Sequence, residues 1–196
     1  MKKKFIINSE RTKISYVLMN QIMLRELKTA RENNEGRYFN CIVAMVFSAF
    51  CLEAYFNHLG HKMCKDWDTK ERLTHEKKLD LLIFELELQI DKDRGLYQTM
   101  QRIFRFRDGI AHAKTEIMNE KSAQISDENP ILPQTEWEKE INLDNAEKYI
   151  EDARAIIYQL HQLAFGPDKD PFVVASSERW GSRPLENNNK SDTTDQ

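Results

Sequence analysis

Apolar side chains recur three and four positions apart in five stretches of the chain, the period of one face of an α-helix. The first predicted helix covers about residues 9–33, with Ile14, Val17, Leu18, Ile22, Leu24 and Leu27 on a broad stripe. Asn33, Asn34 and Gly36 supply its C-terminal stop. The second covers about 37–65 and is apolar nearly all round from Ile42 to Phe50, which predicts the central helix of a bundle. Its small residues Ala44, Ser48, Ala49 and Ala54 let neighbouring helices approach closely. A third helix is expected over about 69–89, from Leu79, Leu82, Ile83, Leu86 and Ile90, and a fourth over about 93–115.

A stretch of little periodicity with two prolines follows, about 116–142. It reads as a long loop holding a short helical turn or an extended piece around Ile131 and Leu132. The fifth helix follows, with Asp144 as N-cap and Glu147 completing a capping box. After Phe165 the sequence GPDKDP breaks the helix, and residues 166–196 have the composition of a flexible C-terminal tail. The expected architecture is all-α: an antiparallel up-and-down bundle of four to five helices over residues 1–165.

Composition narrows the class. The chain has 196 residues, of which 40% are hydrophobic and 31% charged, and only six glycines and five prolines. That balance suits a soluble protein of long helices. A formal charge of −3 excludes a uniformly basic surface, so any nucleic-acid contact must be a local patch. Cys41, Cys51 and Cys64 are odd in number and show no CxxC spacing, which predicts buried thiols rather than disulfides or a zinc site. The opening MKKKFIINSE is positively charged, but its apolar run is too short for a signal sequence. The most apolar segment, CIVAMVFSAFCLEAYF, contains Glu53 and falls short of the roughly 20 apolar residues of a spanning helix. The expectation is a cytoplasmic protein with no membrane association.

Three places carry polar side chains that a plain bundle does not require. Glu53 and Asn57 lie four apart, on one helix face. Either the second helix surfaces there, or Glu53 pairs with a cation across the bundle, because a buried unpaired carboxylate is too costly to keep. The sequence RDGIAH, Arg107 to His112, sets Asp108 four residues before His112, close enough on a helix to favour the charged imidazole. Arg107 and His112 are five apart, roughly 140° around an ideal helix. They share one site only if the arginine wraps round, Gly109 distorts the turn, or two copies meet at a symmetric dimer. His58 and His61 are within reach of one metal ion, but no HExxH pattern or matching carboxylate accompanies them, so solvation at a helix end is the expected role.

With LEAYFN on the second helix and RDGIAH on the fourth, residues 9–165 resemble the HEPN family (higher eukaryotes and prokaryotes nucleotide-binding) of helical domains. The resemblance implies a metal-independent endoribonuclease that needs no cofactor, acts on RNA as a homodimer, and often serves as a toxin or anti-phage effector. It implies that His112 moves protons while Arg107 stabilises the charge developing on phosphorus. Asp108 would orient His112, and Glu53 with Asn57 would position Arg107 or a sugar hydroxyl. Arg102, Arg105 and Lys114 would add local positive charge for RNA. The residue after the arginine is most often Asn in active members, whereas here it is Asp108. Two other readings stand beside this one. In the first, a catalytically silent HEPN module binds a nucleotidyltransferase-like antitoxin, a nucleotide or another defence protein. In the second, an unrelated bundle carries Arg107 and His112 on a solvated face.

Overall fold

The computed structural model describes residues 5–11, 13–88, 91, 94–118, 132–173 and 178–184. It divides into a helical bundle, Ile14–Val173, and a second unit formed by the two ends of the chain. The bundle is all-α: α1 (Ser15–Glu32), α2 (Arg37–Met63), α3 (Trp67–Lys70), α4 (His75–Glu85), α5 (Leu96–Ala111), α6 (Glu136–Lys139) and α7 (Leu143–Phe165). Five of these correspond to the five periodic stretches, and α3 and α6 are single turns beside them.

Helix α2 is the hub, packed against α1, α4, α5 and α7. Its buried residues include Ala44, Met45, Ser48, Ala49, Leu52, Tyr55 and Phe56, so small and large side chains alternate where neighbours close on it. At 27 residues α2 is long and apolar enough to cross a membrane by length and composition alone, while half of its most apolar window is buried within the bundle, as in a core helix. Its length includes the polar turns at both ends, which the apolar run alone did not count. Cys41, Cys51 and Cys64 are buried free thiols, as expected. Burial pushes the Cys51 thiol up to about 12, which keeps it protonated and unreactive.

Helix boundaries differ from the sequence expectations: the third helix, expected over about 69–89, is the shorter α4, and α5 runs from Leu96 to Ala111 rather than over about 93–115. Helix α1 begins at Ser15 rather than near Ser9, because Phe5–Arg11 is a strand, β1. It pairs antiparallel with β2 (Glu178–Pro184), in a register that sets Phe5 against Pro184 and Arg11 against Glu178. Helix α7 is capped by Asn142, whose side chain accepts from the Asn145 N–H at 2.8 Å. Asp144 already lies in the first turn, so it cannot adopt the extended backbone of a cap. The capping box sits instead at α6. There the Thr135 hydroxyl accepts from the Glu138 N–H, and the Glu138 carboxylate accepts from the Thr135 N–H at 2.7 Å.

Part of the expected tail is structured. Pro171 is buried, and its carbonyl accepts from the Tyr16 hydroxyl at 2.7 Å. The Phe172 ring meets those of Tyr16 and Tyr158, and the Arg154 guanidinium lies 4.5 Å from its centroid. Together with β2 this replaces a tail with two structured pieces; 174–177 and 185–196 lie outside the described residues.

His58 packs on the same cluster, its ring 5.0 Å from that of Tyr16 and 6.3 Å from that of Tyr55. Burial, with Lys62, His161 and His61 nearby, pushes its pKa down to about 4. The unfolded chain takes up this proton near the ordinary value of about 6.5, so between those values it binds more protons than the folded state. Stability is then fully present above about pH 6.5 and is lost as pH falls towards 4. His75 and His161, whose pKa values burial also lowers, add to the same slope. Urea midpoints should therefore be lower at pH 5 than at pH 7.5, with a smaller drop in His58→Phe. An equal drop in the variant would assign the slope to other groups.

Candidate active site between α2, α4 and α5

Glu53 stands where three helices meet, and both of its carboxylate oxygens are taken. Oε1 lies 3.2 Å from Lys78 Nζ on α4, and Oε2 lies 3.4 Å from Arg107 Nη1 on α5. Of the two readings the sequence left open for Glu53, the cross-bundle ion pair is the one observed. Lys78 is only 2% exposed, against 30% for Glu53 and 20% for Arg107. A lysine so deeply placed requires an anion, and Glu53 is that anion.

Arg107 is confined further. Its Nε lies 2.8 Å from Asp108 Oδ1, though off the direction of a hydrogen bond, and the guanidinium carbon sits 5.5 Å and 6.0 Å from the ring centroids of Phe104 and Phe50. One turn beyond Glu53, the Asn57 Oδ1 is buried without a hydrogen-bond partner among the described residues. His75, the first residue of α4, stacks flat on Phe104 with ring centroids 3.8 Å apart and planes at 10°. A groove of about 220 Å³ opens beside it, lined by His75, Glu76, Gln101, Arg105 and Asp108.

His112 is placed differently from the expectation. Helix α5 ends at Ala111, and His112 is its C-cap, with φ −113° and ψ 13° and its N–H bonded to the Asp108 carbonyl. The His112 N–H thus keeps the helical bond while the residue's own φ and ψ depart from α-helical values. The Asp108 carboxylate turns to Arg107 instead, and no ion pair joins it to His112. The imidazole is exposed and takes no hydrogen bond among the described residues. Gly109 does not distort the turn; it is a regular helical residue backed by Trp137.

The expected RNA-binding cations separate as well. Arg102 is used within the fold, donating to Glu140 at 3.2 Å and to Asn145 at 3.4 Å, with its guanidinium over Tyr149. Tyr149 also donates to Glu140, so these side chains tie α5 to the junction of α6 and α7. Arg105 and Lys114 are exposed, Arg105 at the rim of the groove. His61 is exposed while His58 packs among tyrosines, and among the described residues no three His, Cys, Asp or Glu side chains converge as metal ligands.

Two site residues, Lys78 and His75, escaped the sequence reading. Their signal is the spacing His75, Lys78, Leu79, Leu82, which places both on the apolar face of α4. No protein-family model, curated protein or solved structure matches the chain.

Proposed function

We propose that this protein is a metal-independent endoribonuclease of the HEPN type, working in the cytoplasm as a homodimer and serving as a toxin or anti-phage effector. The observation that carries the reading is an arginine immobilised through Glu53 and two aromatic rings, followed five residues later by an exposed histidine that is unpaired among the described residues. A fixed guanidinium can stabilise the charge that builds on phosphorus without reorganising. A free imidazole can move the protons that attack by the 2′-hydroxyl and departure of the 5′-oxygen require. Support for the dimer comes from the outer face of α2. Phe39 is 68% exposed and Phe50 36%, and one turn further along the same face stands Glu53. A second copy seated on that face would cover these rings and bring two Arg107–His112 pairs together.

One observation favours a second reading, the catalytically silent module that binds a partner protein. Arg107 is engaged by Glu53 and Asp108 within its own chain, which accounts for its position without RNA. Cleavage of total cellular RNA by wild type, Arg107→Ala and His112→Ala separates the two. Wild type should leave 2′,3′-cyclic phosphate ends, and each variant should lose about 10²–10⁴-fold in rate. Undiminished cleavage by His112→Ala would remove the catalytic assignment. Silence of the wild type would favour the binding module, and a monomer at micromolar concentration would remove the shared site.

A further inference from the structure

We infer that His75 is a second substrate-contacting residue of this site, and that the groove beside it receives one ribose–phosphate unit of a single-stranded RNA, whose 2′-hydroxyl gives its proton to His75. The inference rests on the ribonuclease reading and adds to it a residue and a binding surface.

The groove walls define the ligand class. Arg105, Gln101 and His75 offer donors to phosphate oxygens, while Glu76 and Asp108 offer acceptors to hydroxyl groups. Two carboxylates disfavour a bare anion, and an arginine disfavours a simple cation. A sugar–phosphate unit presents hydroxyl donors and anionic oxygens side by side and matches both. At about 220 Å³ the groove has room for such a unit and not for a folded duplex. Stacking on Phe104 holds the His75 ring in one plane, and Phe104 also carries the guanidinium of Arg107, so one ring aligns both groups.

The state of the imidazole fits a base. Burial against α5 pushes the His75 pKa down, and Arg107 pushes it the same way. Glu76 on its own helix, Asp108 on α5 and Glu53 on α2 oppose that shift without cancelling it. Arg105 is the remaining charged group lining the groove. Neutral His75 accepts the proton of the 2′-hydroxyl as O2′ bonds to phosphorus. The P–O5′ bond then breaks, and O5′ takes a proton from His112 at the C-cap of α5. The products are a 2′,3′-cyclic phosphate and a free 5′-hydroxyl, and no other reactant is needed.

The test has two arms. In the first, a fluorophore–quencher single-stranded RNA of mixed sequence serves as substrate for wild type and His75→Gln. The variant should lose about 10²-fold in kcat with KM little changed. The limb of the pH profile in which rate rises with pH should disappear with it. An unchanged kcat and an unchanged limb would overturn the inference while leaving the ribonuclease reading intact. In the second arm, the His75 Cε1–H resonance of the wild-type protein is followed on addition of adenosine 3′-monophosphate, with inorganic phosphate as comparison. The resonance should move, and its titration midpoint should rise, with the nucleotide and much less with phosphate. A resonance that stays still at millimolar nucleotide, or responds equally to phosphate, would overturn the ribose–phosphate assignment. This arm stands if His75→Gln fails to fold. A nucleotide response in a protein that cuts no RNA would retain the groove and reject the nuclease.

Discussion

Glu53→Gln is expected to lower the free energy of unfolding by about 3 kcal/mol, towards the lower end of the cost of breaking a buried ion pair because Glu53 is itself 30% exposed. The loss comes less from the missing attraction than from what stays behind. Lys78 is 2% exposed and its ammonium would remain in the core facing a neutral amide. Arg107 keeps Asp108 beside it and suffers less. A double variant, Glu53→Leu with Lys78→Met, removes both buried charges and should recover most of the loss, since apolar replacement of a buried pair is often neutral or better. Urea denaturation of the three proteins decides this, and a single variant as stable as wild type would show that Lys78 is solvated. Fold and activity should separate in the double variant: it regains stability, yet Arg107 has lost its anchor, so RNA cleavage should stay depressed.

Gly60→Ala should cost about 3 kcal/mol, the upper end of the range for overpacking. A β-carbon at Gly60 would fall 2.4 to 2.5 Å from three atoms of the Trp67 ring, far inside the carbon–carbon separation of about 3.5–4.0 Å at which packing is favourable. Trp67 is buried and begins α3, just after Asp66, whose φ of 56° already holds the connecting turn in a left-handed conformation. The ring therefore cannot retreat without moving that turn. Alanine gains roughly 1 kcal/mol over glycine within a helix, which is too little to compensate. Thermal and urea midpoints should both fall, and Trp67→Leu in the same chain should restore part of the loss. A Gly60→Ala protein as stable as wild type would mean that the ring has a second place to sit.

Helical periodicity was legible because burial on one face is a local pattern, repeated over many residues of α1, α2, α5 and α7. What depended on tertiary pairing was not. The residues of β1 carry a short apolar run next to a helix, and only the distant partner β2 makes them a strand. Glu53 could be read as needing a cation, since its apolar surroundings demanded one, but Lys78 lay unnoticed in HEKKLD, where neighbouring charges suggest a solvated turn. The contact expected between Asp108 and His112 assumed a helix continuing to about residue 115, whereas α5 ends at Ala111. At α7 the same rule, applied two residues away, names Asn142 instead of Asp144.

The bond from the Tyr16 hydroxyl to the Pro171 carbonyl bears on the order in which the chain assembles. Pairing β1 with β2 in an unfolded chain means closing a loop of nearly the whole sequence, and a lone two-stranded ribbon is at best marginally stable in water. Once the bundle has formed, Tyr16 and Pro171 already meet, and each strand is joined to that meeting point by a few residues. The entropic cost of closure has by then been met by the helices. The ribbon should therefore be a late event in folding and an early one in unfolding, and hydrogen exchange at its amides would report that order.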